Sequence, residues 1–110
     1  MWEYKARLDR VVDGDTVDLV VDVGFKIEMK LRFRMLGINT PERGEDGFDE
    51  ATNELTRLFA ECDNEVRIKT AKTGKFGRWL AMVWQGSASP HADGPSINEL
   101  MVSSGHAVPY

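Results

Sequence analysis

Phe25-Lys26-Ile27-Glu28-Met29-Lys30-Leu31-Arg32-Phe33-Arg34-Met35 alternates apolar and charged residues without a break. Successive side chains of a β-strand point to opposite faces, so this run predicts one long strand. Its core face would carry Phe25, Ile27, Met29, Leu31, Phe33 and Met35, and its charged face Lys26, Glu28, Lys30, Arg32 and Arg34. Upstream, Val11-Val12 and then Val17, Leu19 and Val21, alternating with Asp18, Val20 and Asp22, read as strand on either side of a turn at Asp13-Gly14. Gly24 makes a second turn. Downstream, Gly37, Pro41, Gly44 and Gly47 punctuate a loop. Phe48, Ala51, Leu55, Leu58, Phe59 and Cys62 then recur at helical spacing, which predicts an amphipathic helix from about residue 48 to 62. Val66 to Thr70 and Trp79 to Trp84 read as two further strands joined by a Gly-containing loop. Ser96 with Glu99 three residues later is a capping-box signature, Ile97, Leu100 and Met101 supply an apolar face, and Gly105 suits a C-cap, so a short second helix is expected.

Five strands with one helix after the third and another near the end lack the βαβ alternation of a doubly wound sheet. The order and size fit a mainly β fold with helices (α+β), an OB-fold: a five-stranded, partly open Greek-key barrel. An SH3-like barrel is the alternative, and it leaves the amphipathic helix without an obvious place. At 110 residues the chain is read as a single domain, 1–110. No apolar run approaches the roughly 20 residues of a membrane span, and residues 1–7 carry mixed charge without the apolar stretch of a signal peptide. A cytoplasmic protein is expected, of a kind that suits a bacterium or a bacteriophage. Cys62 is the single cysteine, which excludes an intrachain disulfide and a thiolate metal cluster, and it is expected to be a buried structural thiol.

The formal charge of −4 argues at first against a polyanionic partner. Its distribution changes that reading. Nine acidic residues and two arginines lie between Glu42 and Glu65, which leaves twelve basic residues against nine acidic in the rest of the chain. The basic residues fall on the predicted strands and their loops, where ordinary solvated strand faces are the plain alternative.

Asp13-Gly14-Asp15-Thr16 taken alone is explained by turn geometry, and Asn39-Thr40-Pro41-Glu42 taken alone is explained as a strand stop. Together they put carboxylate, amide and carbonyl oxygens at loops beside strand ends, a donor set that suits a hard cation such as Ca²⁺. Neither His91 nor His106 has a partner at metal-ligand spacing, so zinc is not expected. Arg34 sits on the charged face five residues before Asn39, and Arg78 follows Gly77 at the start of another predicted strand. Each could be a solvated surface charge. Two guanidinium groups beside a cation are also what phosphodiester hydrolysis needs, because charge grows on the phosphoryl oxygens and a planar fork can contact two of them.

In order and in combination, these segments resemble the staphylococcal (micrococcal) nuclease family, also called thermonuclease-like. Val12-Asp13-Gly14-Asp15-Thr16-Val17 is similar to its first motif and Phe33 to Glu42 to its second. Gly74-Lys75-Phe76-Gly77-Arg78-Trp79-Leu80-Ala81 is similar to its third, and Ile97 to Val102 with Gly105 to its next helix and closing turn. The resemblance covers residues 7 to 110. It implies that Asp15 and the main-chain carbonyl of Thr40 ligate Ca²⁺, with position 39 completing the set. It implies that Glu42 holds the attacking water, and that Arg34 and Arg78 grip the scissile phosphate. It also implies that Lys75, Phe76 and Tyr110 contact the nucleotide. The activity implied is calcium-dependent, sequence-nonspecific hydrolysis of DNA or RNA, single strands preferred, leaving 3′-phosphate ends, by a monomer or weak homo-oligomer.

The chain departs from the family at Asn39, where the usual residue is Asp, so one ligand charge is missing and weakened calcium binding is expected. The acidic run after Glu42 is a second departure. The alternative function is a catalytically weakened or inactive module of the same descent that binds nucleic acid or a protein without cutting. A purely structural domain would not be expected to keep two arginines and three acidic or amide groups in register.

Overall fold

The computed structural model describes residues 2–72, 79–86 and 94–110. Along the chain run β1 (Trp2–Asp13), β2 (Thr16–Asp22), β3 (Glu28–Met35), the two-residue β4 (Ile38–Asn39), α1 (Phe48–Ala60), β5 (Glu65–Lys72), β6 (Trp79–Gln85), α2 (Ile97–Ser103) and β7 (Val108–Pro109). The protein is mainly β, with a closed barrel in the order β1-β2-β3-β6-β5, two helices, and a small β4-β7 pair. This is an OB-like α+β architecture. The barrel is closed rather than partly open, because β1 pairs with β5 along Trp2–Arg7 and with β2 along Lys5–Asp13. β1 can do this because its register shifts between Leu8 and Arg10 and again between Val11 and Asp13, and such irregularities bend a strand. No helix among the described residues is long and apolar enough to cross a membrane.

The alternation read from β2 and β3 becomes a cross-strand register: Val17 lies opposite Phe33, Leu19 opposite Leu31, Asp18 opposite Arg32 and Thr16 opposite Arg34. Val17, Leu19, Val21, Phe33 and Met35 face inward with Val66, Ile68, Ala81 and Val83, and the apolar stripe of α1 (Ala51, Leu55, Leu58, Phe59) and Ile97 and Met101 of α2 complete the core. Removing a side chain of Leu or Phe size from water stabilises the fold by roughly 1.5–3 kcal/mol. Phe33, Phe59, Leu19 and Leu55 are therefore the strongest single contributors among these positions.

The predicted long strand is shortened at its start. Gly24, Phe25 and Lys26 all adopt left-handed backbone, with φ of 90°, 56° and 62°, so extended geometry begins only at Glu28, opposite Asp22. The β2-β3 hairpin runs past the end of the barrel, where no core exists to receive its apolar face. Phe25 is 96% exposed, and Ile27 and Met29 are about half exposed.

The helices follow their local signals. α2 carries the full capping box, with Ser96 Oγ accepting the Glu99 N–H at 3.1 Å and the Glu99 carboxylate accepting the Ser96 N–H. α1 ends at Ala60, two residues short of Cys62, whose half-buried thiol donates to the Phe59 carbonyl at 3.2 Å. Much of the acidic run belongs to α1. Asp49 and Glu50 lie in its first turn, where the helix dipole favours negative charge, and Glu54 and Glu61 each lie 2.7 Å from Arg57.

Candidate functional site

β1 and β2 meet at the turn Asp13-Gly14-Asp15-Thr16. There the Asp13 carboxylate accepts the Asp15 N–H at 3.1 Å, so the aspartate side chain shapes its own turn. Gly14 is required by close approach. A Cβ at this position would lie 2.8 Å from Cβ of Ala51 on α1 and 2.9 Å from Oγ1 of Thr40. Gly14→Ala is therefore expected to cost about 1–3 kcal/mol of stability, the usual range for overpacking, as read from the urea midpoint. It should also push the Asp15 turn away from the Thr40 loop. An unchanged midpoint would show that the turn can shift freely.

Asp15 is buried, and three partners fix its carboxylate. Thr16 Oγ1 donates to Oδ1 at 3.1 Å, the Thr40 N–H donates to Oδ2 at 3.2 Å, and Arg34 Nη2 lies 3.6 Å from Oδ2. Burial alone would raise the pKa of this carboxyl. Hydrogen bonds from the Asp13 side chain and the Thr40 N–H, with the Arg34 charge, outweigh burial and hold it below the ordinary carboxylate range. Asp13 moves the opposite way, pushed up first by burial and then by the hydrogen bond it shares with Asp15.

Arg34 links the turn to the next strand. Its Nη2 donates to Asn39 Oδ1 at 3.0 Å and to the Ile38 carbonyl at 3.3 Å, and its guanidinium lies over the Tyr110 ring at 5.4 Å from the centroid. Tyr110 is carried there by β7, which pairs with β4, and its N–H donates to the Gly37 carbonyl at 2.9 Å. Together these elements border a cleft of about 480 Å³ lined by Asp15, Arg34, Asn39, Thr40 and Glu42 from the sequence reading, with Asp13, Thr16, Arg32, Pro41 and Trp79. Glu42 is exposed on its wall, and its N–H is accepted by the Glu45 carboxylate at 2.6 Å. Lys75, Phe76 and Arg78 lie outside the described residues, as does His91.

Asp15, Asn39 and the Thr40 carbonyl are the oxygen donors that could hold a hard cation. Asp15 Oδ2 and Asn39 Oδ1 both lie within 3.6 Å of Arg34 Nη2, so the guanidinium occupies the point they share in this structure. Among the described residues there is no cluster of three or more His, Cys, Asp and Glu side chains suited to a metal ion, so such a site depends on the amide and the backbone oxygen.

Residues 32–110 match the sequence model of the family described as staphylococcal nuclease homologue. The chain belongs to that family. The match begins within β3 and so includes Arg34 and Asn39 to Glu42. The turn carrying Asp15 lies before it and joins the staphylococcal nuclease motifs only through the closed barrel. Over 110 residues the chain is also 28% identical to Protein ParB of Escherichia coli, a match covering 98% of this chain and 58% of that protein. The chain thus spans little more than half the length of this relative.

Five lining residues, Asp13, Thr16, Arg32, Pro41 and Trp79, are not among the site residues of the sequence reading, and Thr16 and Pro41 are simply neighbours of residues that are. Asp13 lies within the first motif, but its contact with Asp15 and its partial burial depend on the tertiary structure. Arg32 lies on the same strand face as Arg34, and the period-two pattern carries that signal. Trp79 falls within the third motif, directly after Arg78, but nothing in that motif marks it as a lining residue.

Proposed function

We propose that this staphylococcal nuclease homologue is a calcium-dependent, sequence-nonspecific endonuclease. It would hydrolyse phosphodiester bonds of DNA or RNA, prefer single strands, and leave 3′-phosphate ends. The observation that carries the reading is the convergence of the Arg34 guanidinium with the Asp15 and Asn39 oxygens in one cleft, with Glu42 on its wall. The strand order, with β6 parallel beside β3 and β5 returning to β1, supports reading the barrel as the Greek-key OB arrangement.

In this reading Asp15, Asn39 and the Thr40 carbonyl hold Ca²⁺, which when bound supplies positive charge to a phosphoryl oxygen. Arg34 donates to the nonbridging oxygens, where charge grows in the transition state, and Arg78 donates to the same group and to the leaving 5′-oxygen. The Glu42 carboxylate orients a water and takes its proton as the water oxygen bonds to phosphorus. The bond from phosphorus to the 5′-oxygen breaks and that oxygen takes up a proton from solvent, leaving a 3′-phosphate and a 5′-hydroxyl. Lys75, Phe76 and Tyr110 support the flanking nucleotide, and stacking on an aromatic face is sequence-tolerant. Cleavage of a fluorogenic DNA strand with Ca²⁺, stopped by EDTA, is the expected result. No cleavage at any calcium concentration would leave the second reading, a binding module.

Asn39 is the observation that favours that second reading, since its amide brings no full charge and its oxygen accepts from Arg34. If weak calcium binding is all that limits the enzyme, Asn39→Asp should lower the Ca²⁺ concentration for half-maximal cleavage by about tenfold, as ligand charge sets calcium affinity. Calorimetric titration beside the cleavage assay checks this. Equal calcium requirements in both proteins would show that position 39 is not a ligand, and tighter calcium without cleavage would favour the binding module.

A further inference from the structure

Arg32 occupies the same face of β3 as Arg34, two residues before it, and lines the same cleft. It differs from an ordinary surface arginine in being held. Its Nε donates to Asp18 Oδ1 at 2.8 Å and its Nη2 to Asp18 Oδ2 at 3.2 Å, a two-point contact with a carboxylate that is itself only 12% exposed. Asp18 lies directly opposite on β2, so the barrel register sets the geometry of the pair. The side chain of Arg32 is nevertheless 60% exposed. A guanidinium has five N–H donors in a fixed fork, and the contact with Asp18 uses one edge of it, leaving donors on the open side. Arg10, on β1 opposite Asp18, and Lys30, two residues before Arg32, add positive charge around the same carboxylate. Lys30 is paired with Asp9 at 2.9 Å. Among the described lining residues, Arg32 and Arg34 face three carboxyls, of Asp13, Asp15 and Glu42, so Arg32 supplies half of the cationic charge there that a polyanion could meet.

We infer that Arg32, held by Asp18, is a second phosphate-binding group, which takes the phosphate next to the one at Arg34 and so makes the cleft select strands of several nucleotides over a dinucleotide. This rests on the reading of the cleft as a nucleic-acid site. Residues two apart on a strand are about 6.7 Å apart, comparable to the separation of successive phosphates along an extended nucleic-acid strand. Arg32 acts in binding and is a specificity-determining residue. Asp18 is a positioning residue, which keeps the fork aimed without using its outer donors.

The test uses a fluorescent 12-nucleotide thymidine strand, with anisotropy read in EDTA over a range of salt concentrations, and cleavage of the same strand and of a thymidine dinucleotide in Ca²⁺. For a single strand each phosphate contact contributes about 0.7 to the slope of log affinity against log salt. Arg32→Gln is expected to lower the slope by about 0.7 and to weaken binding about tenfold at low salt. In cleavage, its loss on the 12-mer should exceed its loss on the dinucleotide by about tenfold and fall on KM. The paired variant Asp18→Asn/Arg32→Gln keeps the net charge and spares Asp18 an unpaired charge, so it should match the single variant. A paired variant with the wild-type slope would show that only net charge mattered and would overturn the inference. Wild-type protein that binds the strand with these slopes but never cuts it would sink the nuclease reading and leave this one standing. Wild-type protein that cuts, with slope and length preference unchanged in Arg32→Gln, would overturn this inference alone, and a wild type that binds no strand would overturn it as well.

Discussion

Arg34→Ala should slow cleavage at saturating strand and calcium by about 10²-fold or more, the scale on which losing one preorganised donor to a developing oxyanion acts. The expectation follows from how the guanidinium is held. Asn39 Oδ1, the Ile38 carbonyl and the Tyr110 ring fix it from separate directions, so it needs little reorganisation to meet a phosphoryl group. The same contacts tie β3 to β4, and their loss should lower the unfolding free energy by about 1–3 kcal/mol, the range for a hydrogen bond to a charged group. Turnover must therefore be measured well below the unfolding midpoint. Arg34→Lys keeps the charge without the fork, and should recover most of the stability but little of the rate. Full activity in the alanine variant would mean that the phosphate is met elsewhere and that this cleft is not the catalytic one.

The largest loss of stability is expected at Asn98, which the sequence offers only as one polar position in a short helix. The residue is 2% exposed, and its side chain serves three backbone groups, two of them buried and one half-buried. Oδ1 accepts the Val83 N–H at 3.0 Å, and Nδ2 donates to the carbonyls of Leu36 at 2.8 Å and Ala81 at 3.0 Å. One amide thereby ties α2 to β6 and to the bend that leads from β3 into Asn39. Asn98→Ala leaves the Val83 N–H and the Leu36 carbonyl without this partner, while the Ala81 carbonyl still accepts the Leu36 N–H at 2.9 Å. At roughly 1–3 kcal/mol for each such group left without a partner, a total of about 2–5 kcal/mol is expected, within the marginal stability of such a domain. Asn98→Asp should be worse still, because a carboxylate would face two carbonyl oxygens. Urea unfolding followed by tryptophan fluorescence checks both variants, and a loss under about 1 kcal/mol for Asn98→Ala would show that water takes over the groups left without a partner.

The legible part of this protein was local. The alternation of β2 and β3, the helical spacing from Phe48, and the Ser96 capping box are written in neighbouring residues, and the structure carries all three. Periodicity names a face and says nothing of where the barrel ends, which is why Phe25, Ile27 and Met29 keep the core pattern and yet stand in solvent. The motifs containing Asp15, Arg34, Asn39 and Glu42 could be picked out as oxygen donors and a guanidinium beside strand ends. Gly14 could be read as a turn residue, but the need for glycine comes from Ala51 and Thr40 packing against it across the chain.

By itself, then, the sequence determined the elements, their apolar faces and the chemical types available for a site, because each depends on the geometry of a few consecutive residues. Only the tertiary structure decided which of them meet. Barrel closure brings the Asp15 turn against the Thr40 loop, 25 residues further along. The β2-β3 register seats Arg32 on Asp18, and the β4-β7 pair carries Tyr110 beneath Arg34. Such contacts depend on strand register and barrel closure, and these arise from burying one shared core rather than from any segment alone.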